Sequence, residues 1–396
     1  MPIIEAKELT KVFGSDPKRA IPLLREGRTK EAIFKETGLT VGVNRVSFSI
    51  EPGEIFVIMG LSGSGKSTLV RLLNRLIEPT DGQVLIRGQD LVKADPETLR
   101  SIRRKHISMV FQKFALFPHR TILENVEYGL EVQGVPKAKR QEAAMASLEL
   151  VGLGGLERQK PDQLSGGMQQ RVGLARALAN DPDVLLMDEA FSALDPLIRK
   201  DMQDELLQLQ TKMKKTIVFI THDLDEALRI GDRIALMKDG AVVQIGTPEQ
   251  ILTNPANDYV ERFVEDVDLS KVLTAAHVMR RPETIKLDRG PRVALQLMKD
   301  QGVSNLYVVD RDRQLLGAIT AEDASAAVKE GKSLEDITIR DVPRVTPDTL
   351  LHDLFQTVSE TRVPVAVIGD NGKLQGIIIR GAVLAALAGN HNVEGR

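Results

Sequence analysis

Apolar residues in the first two thirds of this chain fall into unbroken short runs and helical stripes, and the two kinds alternate. The runs are Ile55-Phe56-Val57-Ile58-Met59, Val184-Leu185-Leu186-Met187 and Ile217-Val218-Phe219-Ile220. Runs this even suit strands buried on both faces of a parallel sheet. Leu69, Leu72, Leu73 and Leu76 follow the first run at helical spacing, and residues 121–153 and 164–179 also read as helical. Strands alternating with helices predict an α/β core. Residues 3–13, 84–86 and 107–111 predict further strands, and in Val46-Ser47-Phe48-Ser49-Ile50 the apolar residues alternate with serines, as a half-buried strand requires. From about 14 to 41, Lys18, Arg19, Arg25, Arg28 and Lys30 mingle with Glu26, Glu31 and Glu36. This predicts a helical insertion, read as a solvated helix on the rim rather than a docking surface.

Beyond about residue 265 the pattern changes. Residues 306–320 and 365–379 repeat one strand-turn-strand unit, with Leu315 and Gly317 recurring 59 residues on as Leu374 and Gly376. Leu295 and Leu354 keep the same offset in the helices before them. The C-terminal third is therefore a duplicated α+β module. The expected organisation is a first domain over 1–265, a linker over 266–277 and the duplicated module over 278–390.

Length and charge narrow the options. At 396 residues the chain exceeds one ordinary core. With 53 basic and 55 acidic residues, a net charge of −2, it offers no bulk electrostatic case for a nucleic-acid partner. Cysteine is absent, which removes disulfides, thiolate metal sites and cysteine nucleophiles. No apolar run approaches the roughly 20 residues that span a bilayer, so any membrane-spanning part is expected on another chain.

The most specific chemistry lies between the first apolar run and the leucine stripe. Gly60-Leu61-Ser62-Gly63-Ser64-Gly65-Lys66-Ser67-Thr68 fits G-x-x-x-x-G-K-[ST] on a strand-to-helix turn. Glycines there let the backbone approach a polyphosphate, and the helix N-terminus offers unpaired donors to it. Lys66 is expected to reach the β- and γ-phosphates of ATP, and the Ser67 hydroxyl to ligate Mg²⁺. Asp188, closing the second run, is placed to hold Mg²⁺ through water, and Glu189 beside it to orient or deprotonate the attacking water. Gln112 and His222 close two other strands, where the first is placed to sense the metal and the second to contact the γ-phosphate. Asp195 follows on the loop after Glu189.

The order of the phosphate loop, Gln112, Leu164-Ser165-Gly166-Gly167-Met168-Gln169-Gln170, Asp188-Glu189, Asp195 and His222 resembles the ATP-binding cassette family over about residues 1–250. The LSGGMQQ run is its diagnostic element. Ser165, Gly166 and Gly167 at a helix N-terminus make a second anion site. The resemblance implies a head-to-tail homodimer in which the phosphate loop of one subunit and the Ser165–Gly167 turn of the other sandwich ATP. It also implies Phe13 as the adenine-stacking aromatic, although a long insertion follows it at once.

The insertion, the runs Phe114-Ala115-Leu116-Phe117-Pro118-His119 and 187–197, and the C-terminal duplication resemble the ATPase subunits of glycine betaine and related quaternary-ammonium importers. The duplication is similar to a pair of cystathionine-β-synthase (CBS) domains. The resemblance implies a membrane permease, a substrate-binding protein or domain, and a peripheral position on the cytoplasmic face of the membrane. It further implies control by ionic strength or by an adenine nucleotide at the CBS pair. Thr320 and Asp323 match the pattern that holds ribose and phosphate, whereas the second repeat has Ile379 and Ala382 there. The apolar Phe114, Leu116 and Phe117 suit a groove that receives a short helix of the permease. Aromatic cages usually hold quaternary ammonium ions, and with no Trp and three Tyr this chain leaves the solute pocket to a partner. A cassette ATPase acting on another solute, or on nucleic acid or ribosomes, is the rival reading. Such proteins usually carry two cassettes or long coiled-coil arms, and this chain has one cassette and neither.

Overall fold

The computed structural model describes residues 1–112, 114–265, 267–361 and 363–387. The chain divides into two compact units, one ending at residue 266 and the other beginning at 267.

Among the described residues the first unit has ten strands: β1 (Ile4–Phe13), β2 (Thr40–Ile50), β3 (Ile55–Met59), β4 (Asp81–Ile86), β5 (Gln89–Asp90), β6 (Ile107–Val110), β7 (Val184–Asp188), β8 (Thr216–Thr221), β9 (Arg233–Lys238) and β10 (Ala241–Gly246). One sheet runs β10-β9-β3-β8-β7-β6, parallel except for β10. Every residue of β3, β7 and β8 is buried, as their unbroken apolar runs demand. The other sheet, β2-β1-β4-β5, is antiparallel. Helix α3 (Lys66–Leu73) shares one core with both sheets, through Leu69, Leu72 and Leu73 against Phe48, Phe56, Leu186 and Ile220. Phe48 stacks on Phe56 across the layers, with ring centroids 5.1 Å apart.

Four features depart from the sequence pattern. The strand expected at 46–50 begins at Thr40, where Val41 and Val43 alternate with less buried neighbours ahead of an irregularity at residues 44–45. The insertion is helical, as α1 (Ala20–Arg25) and α2 (Lys30–Thr37), yet it is not merely solvated: Ala20, Leu24 and Ile33 bury against Val12, Leu39 and Val41. The helical stretch 121–153 is three helices, Ile122–Val126, Tyr128–Val132 and Lys137–Leu150, the last entered through Gly134 and Pro136. The β9–β10 hairpin was not among the expected strands. Its turn, Asp239-Gly240, has φ of +51° and +83°, the two left-handed residues of a tight hairpin.

The second unit repeats one motif. Strands β11 (Thr284–Ile285), β12 (Asn305–Val309) and β13 (Leu315–Thr320) form one sheet, and β14 (Arg344–Val345), β15 (Val365–Ile368) and β16 (Leu374–Ile378) form its copy. Both bulge at the same place, after Val308 and after Val367. The copies also exchange chain: Ile339 of the second bridges Ala318 of the first, and Arg280 of the first bridges Ile377 of the second. These crossings explain the repeated glycines, since a Cβ on Gly317 would lie 2.5 Å from the Ile339 carbonyl oxygen and one on Gly376 would lie 2.7 Å from the Met279 sulfur. The segment suggested as a linker is partly folded here, because Leu273 and Ala275 are buried with Leu351 and Leu354 in this unit's core.

Candidate active site

The phosphate loop joins the end of β3 to α3. Gly60, Gly63 and Gly65 take φ of +149°, +78° and +103°, a region that side chains avoid. Gly65, the N-cap of α3, has a second constraint: a Cβ there would collide with the Gly42 carbonyl of β2. Lys66 is 5% exposed, and its ammonium donates to the carbonyl oxygens of Gly60 at 2.7 Å and Leu61 at 3.1 Å, spanning the loop. Burial pushes its pKa down, against the pull of the Glu189 and Asp188 carboxylates. Ser64 presents a buried hydroxyl oxygen with no partner among the described residues. Ser62, Gly63 and Thr68 line the same cavity as the loop.

Parallel pairing of β3, β8, β7 and β6 brings their carboxyl ends together, the edge at which open α/β sheets bind ligands. Asp188 ends β7, and its Oδ1 accepts from the Ser67 hydroxyl at 3.0 Å. Burial raises the Asp188 pKa beyond what that bond and the Arg71 guanidinium, 3.7 Å away, take back. Glu189 has φ of +48°, a left-handed conformation that costs a non-glycine residue about 1–2 kcal/mol. Its amide donates to the Ile220 carbonyl at 3.2 Å. Gln112, after β6, donates to Glu189 Oε2 and to Ser192 Oγ, both at 3.2 Å. His222, after β8, brings Nδ1 to 3.7 Å from the same Glu189 oxygen.

This donor set fits ATP with Mg²⁺. Among the described residues no group of three or more His, Asp and Glu could cage a metal unaided. Mg²⁺ takes six hard oxygens and commonly shares them with substrate phosphates. Ser67, Asp188 and the Gln112 amide supply three such groups at one edge, beside an ammonium and an unpartnered serine hydroxyl suited to a polyphosphate.

A cavity of about 990 Å³ extends from the loop. Lys66, Ser67, Glu189 and His222 line it together with Phe13, Gly42 and the α2 residues Lys30, Glu31 and Phe34. The α2 residues and Arg71 were missed by motif reading. Arg71 lies one turn beyond Ser67 and carried a helical-spacing signal, whereas α2 carried none toward the loop. Asp195 and the Ser165–Gly167 turn do not line this cavity. Asp195 caps the helix Pro196–Met213 through the Ile198 amide at 3.1 Å, and Ser165 caps the helix Gly166–Leu178 through the Met168 amide at 3.4 Å. A Cβ on Gly167 would lie 2.7 Å from Ile198 Cγ2, so these two elements adjoin.

The segment after Gln112 is tied to the Gly166–Leu178 helix. Arg176 donates to the carbonyls of Ala115 at 2.6 Å and Phe114 at 3.0 Å. Phe114, Leu116 and Phe117 are half-buried, and Phe117 packs edge-on against Tyr128, centroids 4.6 Å apart. In the second unit Thr320 caps the helix Ala321–Glu330, and its hydroxyl donates to Asp323 at 2.7 Å. No helix among the described residues is long and apolar enough to cross a membrane.

Comparison with known proteins agrees with this geometry. Residues 43–192 match the family described as ABC transporter, and residues 275–330 and 334–389 each match the CBS domain. The chain is 62% identical over 395 residues to the glycine betaine transport ATP-binding protein OpuAA of Bacillus subtilis (strain 168), spanning 99% of this chain and 94% of that one. It is 62% identical to the glycine betaine/carnitine transport ATP-binding protein GbuA of Listeria monocytogenes serotype 1/2a (strain 10403S), covering 98% of each. A solved dimeric structure of MJ0796, a bacterial ABC transporter cassette, superposes with a TM-score of 0.53 at 35% identity, covering 62% of this chain and 98% of that one.

Proposed function

The chain belongs to the ABC transporter family as one of its ATP-binding subunits, and from that premise we propose that it hydrolyses ATP to power import of glycine betaine or a related quaternary ammonium compound. A separate membrane permease provides the passage, and this subunit sits peripherally on its cytoplasmic side. The observation that carries the reading is the convergence of Lys66, Ser67, Gln112, Asp188, Glu189 and His222 on one sheet edge.

The residues divide the work. The loop amides and Lys66 hold the β- and γ-phosphates. Ser67, Gln112 and Asp188 would hold Mg²⁺, which there would neutralise charge on the phosphate oxygens. Glu189 takes a proton from water as the water oxygen bonds to the γ-phosphorus and the bond to the bridging oxygen breaks, leaving ADP and inorganic phosphate. His222 steadies the γ-phosphate. Because the Ser165–Gly167 turn and Asp195 lie off this cavity, they face the nucleotide of a second subunit in a head-to-tail dimer. Phe114, Leu116 and Phe117 receive the permease, and Arg176 links that contact to the helix behind the Ser165 turn. The CBS pair adjusts the rate, with Thr320 and Asp323 as its candidate nucleotide contact and a substrate-binding protein or domain delivering the solute.

Reconstitution with the membrane partner in vesicles tests this. Enclosed MgATP should drive uptake of external glycine betaine, and Lys66→Ala should abolish it. Equal uptake by wild type and Lys66→Ala would refute the reading.

A further inference from the structure

We propose that the insertion builds the far wall of the ATP site, with Phe34 stacking on the nucleobase opposite Phe13. This rests on the phosphate-loop reading above and extends it to residues that no motif marks. Phe34 is 57% exposed although it belongs to a packed element, and its ring borders the cavity that the phosphate loop opens into. Phe13, 40% exposed, borders the same cavity from the end of β1. Its ring lies against Gly42, where a Cβ would come within 2.7 Å of Phe13 Cε2 and 3.5 Å of the Thr68 methyl. Gly42 is thus the seat that lets an aromatic ring approach the first turn of α3.

The wall is fixed in place. Ile33, adjacent to Phe34, is fully buried in the insertion's own core. Thr29 caps the start of α2, and Gly38 closes its end at φ +70°. Lys30, one turn before Phe34, forms a 2.6 Å ion pair with Asp239. The next residue, Gly240, donates to the Ser64 carbonyl at 3.0 Å, so α2 is tied to the turn that braces the phosphate loop. A ligand anchored by its phosphates among Ser62–Thr68 would extend its other end along this cavity. The end that two aromatic faces select is flat and π-rich, and a nucleobase meets both requirements. Stacking on two sides also favours the larger purine ring over a pyrimidine.

The chain contains no tryptophan, so Phe34→Trp gives the full-length protein a single indole beside the site. Its emission should change saturably with ATP and not with inorganic tripolyphosphate, which carries the anion without a base. Phe34→Ala should raise the Kd for ATP about tenfold, leave tripolyphosphate binding within about twofold, and be rescued by Phe34→Tyr. Equal ATP affinity in wild type and Phe34→Ala, or an indole in Phe34→Trp that ignores ATP while ATP binds, overturns the proposal and leaves the phosphate-loop reading standing. Failure of that underlying reading looks different: Lys66→Ala would then bind tripolyphosphate as wild type does.

Discussion

Replacing Glu189 by Gln should remove the proposed base and little else. The amide has the carboxylate's shape, and its oxygen can still accept from Gln112 Nε2, now 3.2 Å from Glu189 Oε2. The left-handed backbone at φ +48° is unchanged, because Gln carries the same Cβ. Loss of the charge acts in opposite senses on two neighbours: Glu189 raises the pKa of both Asp188 and Lys66, so one acid is relieved of a like charge while one ammonium loses an attraction. Nucleotide binding and stability should therefore stay close to wild type. A positioned general base contributes roughly 10²- to 10⁴-fold, or about 2.7–5.4 kcal/mol of barrier, and turnover should fall by at least the lower figure. Phosphate release by the permease complex, paired with ATP affinity of the same preparation, measures both. Wild-type turnover in Glu189→Gln would remove Glu189 from its role, and lost ATP affinity with normal turnover at saturation would make it a binding residue.

Ser165→Arg should leave ATP binding to the isolated chain intact yet block ATP-dependent dimerisation in the Glu189→Gln background; a dimer peak on gel filtration of the double variant would sink the two-subunit assignment of that turn. Ending the chain after residue 265 should preserve permease-coupled hydrolysis while removing its response to salt or adenine nucleotide, and an unchanged salt response would move the sensor out of the CBS pair. Glu226 is buried, accepts from Thr221 and from Gln203 at 3.0 Å, and has its pKa raised from 4.5, burial being the main cause. The folded state therefore holds that proton longer than the unfolded state does, and this residue's contribution to stability falls as pH rises from 4.5 to the folded pKa. The stability of Glu226→Gln relative to wild type should accordingly increase across that window in thermal unfolding; a difference that stays flat or shrinks would place the proton elsewhere.

How much of this was legible varies with the range of the forces involved. The strands β3, β7 and β8 were plain because a two-faced parallel sheet accepts only apolar residues, so burial is written into each run. The phosphate loop was plain because glycines, a lysine and a serine must follow one another to wrap one anion. The repeat was legible as an offset of 59 residues, since both copies solve one packing problem. The β9–β10 hairpin had a local signal too, an Asp-Gly pair between apolar runs.

Sequence by itself determined the α/β order of elements and the duplicated second unit, and it named the candidates for a nucleotide site. Tertiary structure alone decided which of them meet. Gln112, Glu189 and His222 lie on three loops far apart in the chain, and parallel pairing of β6, β7 and β8 brings Gln112 and His222 within 3.7 Å of one Glu189 oxygen. Neither the exchange of Arg280 and Ile339 between the CBS copies nor the place of α2 beside the phosphate loop can be read from local pattern. Periodicity tells a segment which face to bury, but the partner that covers that face is fixed only when distant segments compete for it.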